Sequence, residues 1–302
     1  MNSHISRSNR FGISNILVLG SAVAICGCAS PSAQLATNDD TPKTGAESVA
    51  PAPELVSFAA RNAELRGFIY KPHGKGPFPA VLYNHGSERR PGWFPTLGKF
   101  WTDRGYVFFV PHRRGHGRSE GEWIVDRQQQ FRGTEKNMAI IRQHDVELHE
   151  DANSDVVAAV NWLKQQPFIK SNELVVAGIS YGGIQTVLTA EKDIGVRAFV
   201  PFAPAAMSWA GNPQLRERLL TAVKNAKAPM FLLQAENDYN LGPSELLGGE
   251  LKRKGKPNRA KVYPAFGEKE NHQDGHGGFA VRGSDVWGPD VMTFLDEVNR
   301  KH

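Results

Sequence analysis

From Glu54 onward, short apolar runs alternate with segments of helical period, and that alternation leaves few folds open to the chain. Eight runs read as strands: Leu55 to Ala60, Glu64 to Tyr70, Pro79 to Tyr83, Tyr106 to Val110, Leu174 to Ala177, Val196 to Phe202, Pro229 to Gln234 and Ala260 to Tyr263. The first two are predicted to pair antiparallel across Arg61-Asn62-Ala63. Helices are predicted near Phe94 to Arg104, Asp145 to Gln165, Ile184 to Ala190, Pro213 to Asn225, Pro243 to Lys254 and Asp285 to Arg300. The second of these carries Leu148, Ala152, Val156, Ala159 and Leu163 at spacings of three and four, which gives one apolar stripe. Continuous apolar strands separated by helices predict an α/β protein: a mostly parallel eight-stranded sheet with helices on both faces. In such sheets ligands gather beyond the carboxyl ends of the strands.

The segment ahead of this pattern is of another kind. Arg7 and Arg10 precede an apolar run from Ile13 to Ile25 that ends in I-C-G-C-A-S. The run is short for a membrane span and fits the core of a signal peptide. Its end resembles a bacterial lipobox, with Cys28 as the lipidated residue; ordinary cleavage near Ser32-Ala33 and a retained anchor are the alternatives. Residues 29–53 are small, polar and Pro-rich, and read as a flexible tether. The expected organisation is therefore a signal peptide over 1–28, a tether over 29–53 and a catalytic domain over 54–302, with a small excursion around 116–143. The expected location is outside the cytoplasm, in a bacterial periplasm or at an outer membrane, held to the membrane only through a lipid anchor on Cys28. Both cysteines of the chain, Cys26 and Cys28, lie in this segment, so the catalytic domain has no disulfide and no cysteine nucleophile. The formal charge of +5 is spread over 302 residues in short clusters such as Lys252-Arg253-Lys254, which speaks against nucleic acid as a partner.

The residues with chemistry to offer follow the predicted strands directly. Gly178-Ile179-Ser180-Tyr181-Gly182 matches G-x-S-x-G between a strand and a helix, the setting of a nucleophile elbow. A serine at such a bend is exposed at the sheet end, and the helix that starts there aims free N–H groups at a developing oxyanion. An ordinary glycine-flanked turn is the plain alternative. A serine needs a base and an orienting acid, in the chain order Ser, Asp or Glu, His. Asp238 follows the Pro229 to Gln234 run and is the preferred acid, with Glu236 as the alternative. His276, in D-G-H-G-G-F, is the preferred base, with His272 as the alternative.

An oxyanion hole needs one N–H from the residue after the nucleophile, Tyr181, and one from the loop after the Pro79 to Tyr83 run. That loop reads N-H-G-S-E, so Ser87 is the second donor and His85 is structural.

Taken together, N-H-G-S, P-H-R-R-G-H-G-R-S, G-I-S-Y-G-G, A-E-N-D and D-G-H-G-G-F, in that order, resemble the α/β-hydrolase fold, and within it the dienelactone-hydrolase-like branch, which is similar to the catalytic domains of prolyl-oligopeptidase-type peptidases. The resemblance runs from Glu54 to the C-terminus. It implies a serine-dependent carboxylic ester hydrolase that works through an acyl-enzyme on a Ser180-His276-Asp238 triad and needs no cofactor. Dienelactone hydrolases proper carry cysteine where Ser180 stands, so their lactone is not implied as substrate. Oligopeptidase-type enzymes carry a propeller before the catalytic domain, where residues 29–53 stand here; peptidase activity is accordingly the lesser expectation.

The partner expected is a small-molecule ester or related acyl compound. Trp123 and Phe131, with Met138 and Ile141, are expected to line its pocket from the excursion over the sheet end; packing the excursion onto its own helix is the alternative. Metal chemistry at His272, Asp274 and His276, or at His112 and His116, is set aside because the flanking glycines argue against the helix that an H-x-x-x-H clamp needs. An acyltransferase or peptidase on the same triad, and a binding module without catalysis, complete the alternatives.

Overall fold

The computed structural model describes residues 52–61 and 63–300. The expected leader with Cys26 and Cys28, and most of the expected tether, lie outside them. Eight strands form one sheet: β1 (Glu54–Ala60), β2 (Ala63–Tyr70), β3 (Phe78–Asn84), β4 (Val107–His112), β5 (Ile169–Ile179), β6 (Ala198–Phe202), β7 (Phe231–Ala235) and β8 (Arg259–Tyr263). Their spatial order is β1-β2-β4-β3-β5-β6-β7-β8. β2 runs antiparallel to both its neighbours, β1 and β4, and every pairing from β4 through β8 is parallel. The predicted α/β-hydrolase fold is the one observed.

The helices are α1 (Pro95–Thr102), α2 (Ile124–Thr134), α3 (Met138–Lys164), α4 (Tyr181–Thr189), α5 (Pro213–Lys224), α6 (Gly242–Lys254), α7 (Phe279–Arg282) and α8 (Ser284–Asn299), with a π-helical turn at Asp274–Gly278 before α7. They cover both faces because the central strands are apolar on both. In β5, Leu174 and Val176 enter the core beneath α3 to α6, while Val175 and Ala177 enter the core beneath α1 and α8. β4 divides in the same way, Val107 and Phe109 against Phe108 and Val110. This is the period-two alternation of a strand with no wet side. Each of the Val, Leu and Phe side chains among them contributes about 1.5–3 kcal/mol by leaving water.

Two expectations about helices are corrected. The stretch from His116 to Gln143, where no helix is predicted, carries α2 in its middle, and α3 begins at Met138, seven residues before the predicted start. Only Ile124 of α2 is buried, so the sequence offers no apolar stripe to read. Met138 and Ile140, at the start of α3, are half exposed for the same reason. Glycines around His276 do not prevent helix either; the turn packs against the loop after β7, as described below.

The parallel strands bring four loops to one end of the sheet. Ser87 follows β3, Ser180 follows β5, Asp238 follows β7 and His276 follows β8. The chain leaves β3 towards β4 on one side and β5 towards β6 on the other, with α1 and α4 on opposite faces. The crevice where an open sheet binds ligands therefore lies between the loops after β3 and β5.

Candidate active site

Ser180 has φ 57° and ψ −114°, a backbone conformation that a residue with a Cβ rarely adopts. Its N–H donates to the Phe202 carbonyl (3.0 Å), and its own carbonyl accepts from Ile184 N–H (2.9 Å) to start α4. The strain is held by close packing against β3. A Cβ on Gly182 would stand 2.0 Å from the Asn84 carbonyl oxygen, and one on Gly178 2.6 Å from the Gly182 oxygen. Both glycines are thus required by close approach, and the bend between them pushes the serine out of the sheet end.

Asp238 and His276 meet as the chain order foresaw. Asp238 Oδ1 accepts from His276 Nδ1–H at 2.8 Å and from Tyr239 N–H at 2.6 Å. Gln234 Nε2 donates to the second oxygen, Oδ2, at 3.0 Å and to the Asn240 carbonyl at 2.9 Å, while its Oε1 accepts from Ser244. The carboxylate is buried and cannot turn. His276 Nε2 is buried with no hydrogen-bond partner, so its lone pair is available to take a proton. Glu236 is exposed and bonds to neither residue. His272 is exposed too, and its Nδ1 faces the Asn237 carbonyl at 3.1 Å.

Asn237 explains how His276 is carried. Its Nδ2 donates to the carbonyls of Phe266, Glu268 and Asn271, and its Oδ1 accepts from Phe266 N–H. A Cβ on Gly275 would fall 2.5 Å from the Asn237 carbonyl carbon, so the glycine before His276 lets the turn press against this residue. With His272 and His276 held by different partners, no three His, Cys, Asp or Glu side chains among the described residues gather in a set that could hold a metal ion.

On the other side of the serine, the loop after β3 is clamped by a residue that sequence reading passed over. Arg113, 1% exposed, donates through Nη2 to the carbonyls of His85 and Gly86, both at 2.7 Å. Its guanidinium also lies 4.4 Å from the centre of the Tyr181 ring. One cation therefore touches the residue before Ser87 and the residue after Ser180. It reaches both because β4, which it follows, lies beside β3. Trp123 Nε1 donates to the Ser87 carbonyl (3.0 Å) and pins the loop from outside. Tyr181 N–H opens α4 and has no carbonyl one turn before it to bond.

Around Arg113 stand four buried histidines, all neutral. Burial and the Arg113 charge hold His85 well below the ordinary imidazole range, and bring His116 and His149 down to about 3; burial brings His112 down to about 4. Burial pushes the Tyr181 hydroxyl up to about 12. His85 is thus a walled-in structural residue, as its position before the nucleophile suggested.

Ser87, Ser180 and Tyr181 line one cavity of about 790 Å³, with Ile124, Met138, Ile141 and Leu215 among its walls. Trp123 and Phe131 do not line it, and their expected pocket role is corrected. Trp123 is spent on the Ser87 loop, and Phe131 turns away to stack on His144 at 3.8 Å.

A strained serine at the crevice of this sheet, with a buried carboxylate–imidazole pair at the same end, defines a serine hydrolase of the α/β-hydrolase type. The chain belongs to the X-Pro dipeptidyl-peptidase (S15) family, whose match covers residues 62–260. Among curated relatives it is similar to the polyketide transferase grgF of a Penicillium species, 26% identical over 195 residues, 62% of this chain and 58% of that protein. Among solved structures it is similar to an acylaminoacyl peptidase in complex with a chloromethyl ketone (TM-score 0.60, 17% identity, 82% of this chain and 41% of that one). It is also similar to the esterase Pf2001 of Pyrococcus furiosus (TM-score 0.59, 17% identity, 81% of this chain and 91% of that one). The chain thus spans well under two thirds of the first two proteins. The dienelactone-hydrolase-like branch rests on the motif resemblance alone.

Proposed function

We propose that this chain hydrolyses carboxylic esters through an acyl-enzyme, with Ser180 as nucleophile, His276 as base and Asp238 as its partner. His276 Nε2 takes the Ser180 hydroxyl proton as Oγ bonds to the carbonyl carbon and the carbonyl pair moves to oxygen. The N–H groups of Ser87 and Tyr181 hold that oxyanion. On collapse the bond to the leaving oxygen breaks, and His276 returns its proton to the departing alcohol. Water then repeats the steps on the acyl-enzyme. Each oxyanion donor lowers the barrier by about 2.7–4 kcal/mol. The observation that carries this reading is the 2.8 Å contact between Asp238 and His276 Nδ1, which leaves Nε2 free and buried.

A peptide bond next to proline is the second reading, favoured by the family's description; transfer to an acceptor other than water would use the same acyl-enzyme. A fluorophosphonate probe should label the wild type and not Ser180→Ala, and equal labelling would defeat the triad. Comparing p-nitrophenyl esters with Xaa-Pro p-nitroanilides then separates ester from peptide preference. Export with a lipid on Cys28 is part of the proposal; Cys28→Ser should free the protein from membranes, and continued association would sink it.

A further inference from the structure

The cavity at Ser180 is walled by apolar side chains, yet three cations line it: Arg132, Lys136 and Arg142. Two are accounted for within the protein. Arg132 donates to Asp145 Oδ2 at 2.6 Å. Lys136 Nζ donates to the carbonyls of Arg132 (3.3 Å) and Gly133 (3.1 Å), at the C-terminal end of α2 where a helix favours positive charge. The two carboxylates that line the cavity are also engaged. Asp145 holds Arg132, and Glu135 Oε1 accepts from the N–H groups of Lys136 and Asn137, both at 2.7 Å.

Arg142 differs from the other two. Among the described residues its side chain has no hydrogen bond and no ion pair, and its Nε is buried without a partner. Its backbone is fixed, since Asn212 Nδ2 donates to the Arg142 carbonyl at 3.2 Å. A part-buried guanidinium without an acceptor is unfavourable on its own and is relieved by an anion that supplies one. Its position along α3 says where that anion would sit. Arg142, Asp145 and His149 recur on one face of the helix. His149 touches the Tyr181 ring, with centroids 5.0 Å apart, next to the serine. Seven residues at 1.5 Å each put Arg142 about 10 Å further along the helix.

We propose that the cavity selects acyl groups that carry a carboxylate at the end remote from the scissile ester, held by the Arg142 guanidinium, with an apolar chain between the two. The substrates are then half-esters of dicarboxylic acids, recognised through the acid they release. The inference rests on the serine-hydrolase reading and is tested beside it.

The probes are mono-p-nitrophenyl suberate and its methyl-capped ester, which differ in the charge at the far end. In wild type the ratio of their kcat/KM values should favour the anion by roughly 10-fold or more, the worth of a charge-assisted hydrogen bond. Arg142→Leu should bring that ratio close to one, mainly through KM of the anionic ester. Arg142→Lys should keep part of it, and a control at Lys170, outside the cavity lining, Lys170→Ala, should leave the ratio where it was. A wild-type ratio of one or below, or the same ratio in Arg142→Leu, overturns the proposal while the hydrolase reading stands. Hydrolysis of both esters by Ser180→Ala at the wild-type rate defeats both together.

Discussion

Asp238 and His276 stand 38 residues apart in the chain and 2.8 Å apart in space, because they follow the adjacent strands β7 and β8. The contact fixes the imidazole with its proton on Nδ1. Asp238→Asn would offer an amide in place of the acceptor and favour the wrong tautomer, so kcat on p-nitrophenyl acetate should fall by about 10⁴-fold. Glu236→Gln, at an exposed position, should stay within about a factor of two. Similar losses in the two variants would contradict the assignment.

In the proposed mechanism Arg113 is a positioning residue. Arg113→Met leaves the His85 and Gly86 carbonyls without their donor, and the N–H of Ser87 loses its aim. We expect kcat to fall by about 10²-fold with KM nearly constant, because only the transition state uses that N–H. Arg113→Lys should recover little of it, since an ammonium cannot reproduce the planar fork. A change in KM with kcat intact would remove the argument.

Gly182 tests the elbow. Gly182→Ala puts a methyl group 2.0 Å from the Asn84 carbonyl oxygen, where backbone must move to admit it. Stability should drop by about 2–3 kcal/mol, read from urea unfolding, and activity should drop with it. An unchanged midpoint would mean that the elbow is looser than its packing indicates.

The buried histidines set the response to acid. In the unfolded chain each takes a proton near pH 6.5; in the folded protein His112 resists until about 4, and His116 and His149 until about 3. His85 is shifted in the same direction. Below pH 6.5 the unfolded state binds more protons, so stability is full above that pH and is lost progressively as pH falls towards 3. Thermal unfolding followed from pH 8 to pH 4.5 should show a level melting temperature first and a steep decline after. A level line throughout would be incompatible with four buried neutral imidazoles.

The central strands were legible because their burial is two-sided: a run such as Y-V-F-F-V can go nowhere but the middle of a sheet. The pairing of Asp238 with His276 was legible because chain order and sheet end constrain it together. α2 was hidden by its lack of an apolar stripe. Trp123 and Phe131 misled because an aromatic ring in a polar segment can turn to the cavity or away, and composition carries no sign of which. The turn at His276 misled in another way. Glycine disfavours helix locally, and the Asn237 bonds that hold the segment leading into the turn come from more than thirty residues earlier. Arg113 stood in a motif that was noticed, P-H-R-R-G-H-G-R-S, but its acceptors are backbone carbonyls after another strand, and no spacing reports them.

The proposed nucleophile, base and acid hang from β5, β8 and β7, whereas most of the cavity wall beyond Ser87, Ser180, Tyr181 and Ile184 comes from α2, the first half of α3 and the connection into α5. In the proposed mechanism, the reaction and most of the choice of acyl group therefore reside in different stretches of polypeptide. On that reading, descendants of this chain can change diet by rewriting α2 and the start of α3 and inherit the chemistry intact.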